Sequence, residues 1–359
     1  MKEMDLRNWQ LAAFGANVLA DVNCCMSGLI AFLKPVNLLL ILTESFFPRL
    51  SRPHLRGEGG FVRGGFRAQG GRDDAGLAPR RGGFTLLELL VVVGIIGVLA
   101  SLLLPALAGG KAKARSLFCL NNNRQLVMGC LMYADENSQR LPYNLAGTAT
   151  RTNLNWAAGT LDWELTADNT NLAFLTEAAL GAYVGRVPAL YRCPSDSVLS
   201  PLQHAAGWSS RARSYSMNAS VGDAGDLSAS GVNTNNPGYA QFFRLTSIPA
   251  PARIFVFLDE HPDSISDGYF VNRSYYPEWI RLPAPWHRGG TTFSFADGHT
   301  ESHLWQCAST MPALVPDAAG LPIDVADDPR DFNWIIAHMS VPIGPPPASP
   351  TAPTYPTYP

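Results

Sequence analysis

From Phe84 to Leu104 the chain runs for 21 residues with a single charge, Glu88, and no Lys or Arg. About 20 predominantly apolar residues are what a helix needs to cross a bilayer. A helix apolar all the way round has no face to offer water, so this one must lie against lipid or against other helices. The lone acid stands near the front of the run. An ionisable group in a membrane segment costs roughly 2.5–3.5 kcal/mol at the centre on insertion scales, so it is usually kept for a use. Pro105 follows directly.

The charges on either side orient this span. The whole chain has a net charge of −2, but residues 1–83 carry 11 basic and 7 acidic side chains, against 16 and 22 in residues 84–359. Lys and Arg excess marks the cytoplasmic side. The expected arrangement is therefore a single span of the inner membrane with a cytoplasmic N-terminus and the rest of the chain outside. The acidic outer part argues against nucleic-acid binding, which wants a basic face. Charged residues are only 16% of the chain, while Gly and Pro number 32 and 28, as suits a loop-rich domain outside the cytoplasm.

Residues 1–83 read as a leader or as an overextended N-terminus. Between 49 and 83 lie eight Arg, ten Gly and no Lys, a composition that cannot bury enough apolar surface to fold. The reading favours a translation start nearer Arg80-Arg81 over a long cytoplasmic leader. From 84 a helix is expected to continue to about 136. Cys119, Leu126, Cys130 and Tyr133 lie on one face of it, and Gly109-Gly110 is expected to loosen it outside the bilayer. Residues 138–340 read as a β-rich head. Tyr191–Pro194 reads as a strand end, Arg253–Leu258 as a buried strand, and Thr291–Ala296, Asp297-Gly298 and His299–Trp305 as a hairpin. Residues 341–359 hold eight Pro and no charge, and should form a disordered, polyproline-like tail.

The stretch Gly82-Gly83-Phe84-Thr85-Leu86-Leu87-Glu88 resembles the signal of type IV prepilins and type II secretion pseudopilins. The resemblance implies cleavage after Gly83 by a prepilin peptidase and methylation of Phe84. It also implies that Glu88 pairs with a neighbouring subunit's N-terminus, so that pilin or pseudopilin subunits assemble through this helix. The head resembles prepilin-like proteins of planctomycete and verrucomicrobial lineages that end in a His, nine residues and Asp-Gly. Here these are His287 and Asp297-Gly298. Other matching pieces are Cys119 with Asn121-Asn122 and Arg124-Gln125-Leu126, Met132-Tyr133-Ala134, Cys193-Pro194-Ser195-Asp196 and Ser214–Asn218. Asn123 stands where that group usually has Leu. The implied fold is α+β and pilin-like, a long N-terminal helix packed on an antiparallel sheet. The alternative is a membrane-tethered surface protein whose head binds polysaccharide or metal without polymerising.

Polar residues gather late in the chain. Asp259, Glu260, His261, His287, Asp297 and His299 are candidate metal ligands, for calcium ahead of zinc. The competing reading makes Asp297-Gly298 a plain turn, with the histidines bonding loop backbone and His287 near the turn. No two of these residues have a recognised metal-motif spacing. No nucleophile and base pair up, so no enzyme is expected, and no cofactor beyond the possible calcium. Cys119, Cys130, Cys193 and Cys307 lie after the span. A disulfide joining Cys119 and Cys193, and buried free thiols, stand as alternatives.

Overall fold

A computed structural model describes residues 84–147, 152–325 and 327–344. The expectations for residues 1–83, Gly83 among them, and for the tail from 345 onward fall outside the described residues.

Helix α1, Leu86–Glu136, is 51 residues long and starts at a capping box: Thr85 and Glu88 satisfy each other's exposed backbone and side-chain groups. It runs unbroken through Pro105 and through Gly109-Gly110. The loosening expected at the two glycines is absent. Each costs about 1 kcal/mol against Ala, which good helix formers on both sides carry without a break. The helix stops at Asn137, whose backbone N–H closes the last turn on Tyr133 and Ala134.

The two halves of α1 live in different surroundings. Large apolar side chains from Phe84 to Leu107 are exposed, Phe84 by 76% and Leu86 by 80%. Farther on, Cys119, Asn123, Leu126, Val127, Cys130 and Ala134 are buried, in steps of three and four that keep one face toward the head. Tyr133 packs at the edge of that core.

That face lies on a five-stranded sheet. Its strands are β1 (Tyr215–Asn218), β2 (Phe255–Asp259), β3 (Tyr269–Phe270), β5 (Gly290–Phe295) and β6 (Thr300–Leu304), in the order β3-β1-β2-β5-β6. Strands β4 (Glu278–Trp279) and β7 (Ile323–Asp324) form a separate small ribbon. The pairings within the five-stranded sheet are antiparallel except β1 with β3, which is parallel, so the sheet is mixed where an antiparallel one was expected. The fold class is α+β, a long apolar N-terminal helix followed by a β-rich head.

The sheet separates two cores. On the helix side, Leu126, Val127 and Cys130 meet Trp156, Tyr191, Met217, Val256 and Phe257. On the other, Phe255, Leu258, Phe270, Phe293 and Phe295 meet a second helix, α2 (Arg330–Met339), through Phe332, Ile335 and Met339. Strand β2 would alternate strictly between these cores, but its register shifts between Phe255 and Phe257. Val256 and Phe257 then both belong to the helix-side core, and Leu258 to the other. A bulge of this kind moves every later side chain to the opposite face. Asp259 consequently points at α1, where it meets Cys119.

Four local readings need correction. Pro188–Tyr191 is a turn of 3-10 helix rather than a strand end, because Pro188 supplies no donor to a ladder and fits the first helical position. Helix α2 stands inside a region read as strands and loops, although Phe332, Ile335 and Met339 recur at helical spacing. The tail's first residues are also paired: Ala240 donates to Val341 and Ile343 to Gly238. The hairpin does form, with Gly298 at φ 90° in its turn. His287, however, is not beside that turn. Its backbone N–H meets Gly290 at the start of β5, one strand length away, about 16–20 Å for six residues.

The two environments of α1 predict opposite outcomes for similar truncations. Leu126→Ala should cost the head about 2–5 kcal/mol, since Leu126 is fully buried. Leu103→Ala, on the exposed half, should leave the unfolding midpoint of the head unchanged when the full chain is denatured in detergent. Gly298→Ala should destabilise by about 1–2 kcal/mol, because a Cβ is disfavoured at positive φ. Tryptophan fluorescence during denaturation measures all three.

Candidate functional site

Two places in the molecule carry polar chemistry that packing alone does not explain. The first is the start of α1. The Thr85 backbone N–H and hydroxyl both donate to Glu88 Oε2 at 2.8 Å, and Glu88 N–H donates to Thr85 Oγ1 at 3.2 Å. Both residues are exposed, as is Phe84 one residue before the cap. A carboxylate in the first turn also faces the positive end of the helix dipole. Glu88 is thus a fixed negative group one turn from Phe84, at the end of an apolar surface that nothing in the head covers. Among the described residues, α1 is the helix long and apolar enough to cross a membrane.

The second place is buried under the helix. Cys119, Cys193, Asp259 and His287 present two sulfurs, a carboxylate oxygen and a ring nitrogen that all lie within 4.8 Å of one another. Four separate segments deliver them. Cys119 comes from the buried face of α1. Cys193 follows the 3-10 turn, with its backbone N–H held by Ser214 Oγ at 2.7 Å. Asp259 ends β2 after the bulge, and His287 sits in the loop that enters β5. The Cys119 thiol donates to Asp259 Oδ2 at 3.2 Å, and His287 Nε2 lies 3.5 Å from Cys193 Sγ and 4.0 Å from Asp259 Oδ2.

A ring of donors surrounds the sulfurs. The Thr292 hydroxyl donates to Cys119 Sγ at 3.3 Å, the Tyr215 hydroxyl lies 2.8 Å from it, and Ser195 N–H donates to Cys193 Sγ at 3.4 Å. Asn123 is fully buried and donates to Thr292 Oγ1 at 2.8 Å. A polar relay therefore runs from α1 through β5 and back to Cys119. Burial raises the thiols of Cys119 and Cys193 above their ordinary range. It also raises the Asp259 carboxyl, helped by Cys193 beside it, and lowers His287 to about 4. Asp259 is completely buried, its Oδ1 has no hydrogen-bond partner, and among the described residues no Lys or Arg pairs with it. Thiol, thiolate, carboxylate and imidazole are all metal-ligating groups.

Of the six residues read from sequence as metal candidates, Asp259 and His287 are the two that enter this cluster. Glu260 faces Arg281 at 3.8 Å and accepts from Ser264 at 2.8 Å. His261 Nδ1 accepts the backbone N–H of Asp263. Asp297 and His299 pair with each other at 2.5 Å on the hairpin turn, where His299 also stacks on Phe295. Cys119 and Cys193 lie side by side as free thiols, as Cys130 and Cys307 are also free. The sequence reading did not join the two cysteines to Asp259 and His287. The one available signal was that Cys119, Cys193 and His287 all stand in the matching motif pieces.

With this geometry in place, the similarities to known proteins can be located on it. A family described as a prokaryotic N-terminal methylation motif matches residues 79–104, the start of α1 and its exposed half. The type II secretion system core protein G of Dickeya chrysanthemi is 45% identical over 60 residues, 17% of this chain and 39% of that protein. Its namesake in Klebsiella pneumoniae is also 45% identical over 60 residues, covering 43% of that protein. The Escherichia coli K12 protein of that name is 69% identical over 32 residues, 9% of this chain and 22% of its own length. The chain thus spans about two fifths or less of the length of these relatives. No solved structure matches it. The chain carries a prokaryotic methylation motif at the head of a membrane-capable helix and, over a short stretch, is similar to type II secretion core protein G.

Proposed function

We propose that the chain is a pseudopilin-like structural subunit. A prepilin peptidase cuts after Gly83 and methylates Phe84. The exposed half of α1 anchors the protein in the inner membrane with its head outside, and the same half then packs against other subunits in a type II secretion pseudopilus or a type IV pilus. The observation that carries this reading is Gly-Phe-Thr-Leu-Leu-Glu opening a helix whose first half is apolar and uncovered on every side.

Physical chemistry supports the packing of subunits through this helix. In lipid, helices associate through close packing, and small residues let backbones approach. Gly94 and Gly97 have nothing within 4 Å of where a Cβ would stand, so both are open to a neighbour. Glu88 is held in the free chain by Thr85 alone among the described residues. Once desolvated between helices, it gains by facing an opposite charge, since a buried unpaired charge is strongly destabilising. The ammonium at a neighbour's Phe84 has the right sign and, four residues before Glu88, is reached by an axial offset between subunits of about one helical turn, ~6 Å. The methylation motif and the secretion relatives point to a structural role rather than to catalysis.

The Glu88 requirement separates assembly from simple tethering. Glu88→Ala should insert into the membrane as well as the original chain or better, because it removes a charge from the span. Incorporation into filaments, followed by shearing and immunoblotting with the secretion or pilus machinery present, should be lost. Assembly at the original level would leave a tethered surface protein as the better reading.

A further inference from the structure

We propose that Cys119, Cys193, Asp259 and His287 form a structural zinc site that clamps α1 to the head. Zinc accepts sulfur, nitrogen and carboxylate oxygen, and its structural sites are tetrahedral with four protein ligands. Bond lengths of about 2.3 Å to sulfur and 2.0–2.2 Å to nitrogen or oxygen give a tetrahedron with edges of about 3.3–3.8 Å. The observed separations of 3.2, 3.5 and 4.0 Å, with all four atoms within 4.8 Å, lie close to those edges. Contraction around an ion, by up to about 1 Å along the longest edges, closes the set. Two sulfurs argue against calcium, a hard cation that takes six to eight oxygens.

The surroundings fit a metal better than they fit a plain core. Asp259 is a wholly buried carboxyl with no Lys or Arg pairing with it among the described residues, and its Oδ1 has no hydrogen-bond partner. A buried polar atom in that state is costly unless something takes it up. A zinc ion bound through Oδ2 would give this carboxylate the counter-charge that no Lys or Arg among the described residues supplies. Thr292 and Ser195 donate to the two sulfurs and the Tyr215 hydroxyl lies 2.8 Å from Cys119 Sγ, polar surroundings of the kind that stabilise the negative charge of metal thiolates. With two thiolates, one carboxylate and a neutral imidazole, the bound site carries one net negative charge, which those donors face. All four ligands are buried and come from the protein, so no position is left open for substrate; the role is structural. The ligands come from α1, the loop after the 3-10 turn, the end of β2 and the loop before β5. One ion would therefore join the helix to three parts of the head.

The test uses the full chain extracted in detergent without chelator. Zinc content by inductively coupled plasma mass spectrometry should be one per chain. Cobalt(II) substitution should give the intense visible bands of a tetrahedral site, with sulfur-to-metal charge transfer in the near ultraviolet. Cys193→Ser and Asp259→Asn should lose the stoichiometric zinc, while Cys307→Ser keeps it. Thr292→Val, which removes one donor to Cys119, should weaken zinc affinity by about 10–100-fold. The original chain carries the decisive measurements, so a variant that fails to fold does not blunt the test. Three results would overturn the site: no zinc taken up by the reduced chain when zinc is supplied, a Cys119–Cys193 disulfide found by peptide mapping of the extracted protein, or a cobalt spectrum without thiolate charge transfer.

Discussion

The rest of the molecule depends on the contact between the buried face of α1 and the sheet. Cys119, Asn123, Leu126, Val127, Cys130 and Ala134 put a single stripe of the helix onto the head, and one of the two hydrophobic cores forms there. Helix formation in water is cooperative and gains most of its stability from such packing. The docked half is therefore held by the head, and the leading half gains nothing from it. On the function proposed above, the division has a sense, since a subunit that assembled through one helix would have to keep part of that helix uncovered while the remainder fixed the head's position.

Two features of strand geometry set the chemistry beneath the helix. The bulge in β2 reverses the facing of the residues after it and turns Asp259 toward Cys119. On β5, Thr292 faces the helix and binds Asn123 and Cys119, while Phe293 and Phe295 fill the opposite core. The nine residues between His287 and Asp297 then have a simple meaning. They hold the short entry to β5 and the strand itself, so the His stands at one end of the strand and the Asp-Gly turn at the other. The two ends have separate tasks: His287 reaches the buried cluster, whereas Asp297 and His299 organise an exposed turn.

What could be read from sequence was local. The span, the end of α1 near Glu136, the buried strand around Phe255 and the Asp-Gly hairpin are each announced by periodicity or turn chemistry within a dozen residues. Helix α2 was equally local, with Phe332, Ile335 and Met339 in helical register, and a closer reading of that window would have found it. The cluster is a different case. Its members stand at 119, 193, 259 and 287, so no spacing connects them; only the docking of α1 and the phase shift of the bulge bring them together. Asp259 and His287 were among the candidates, but in company with Glu260, His261, Asp297 and His299, whose partners prove to be Arg281, loop backbone and each other. A bulge depends on cross-strand register, and the alternation within one strand does not announce it.

The central proposal is a processed subunit whose mature chain begins at Phe84 and which assembles through the exposed half of α1. Mass spectrometry of the N-terminal peptide of the protein extracted from its native membrane addresses this directly. The account predicts a chain starting at Phe84 with a methylated amine. A mature protein that begins upstream of Phe84, or a Phe84 amine without the methyl group in cells that hold an active prepilin peptidase, would contradict it.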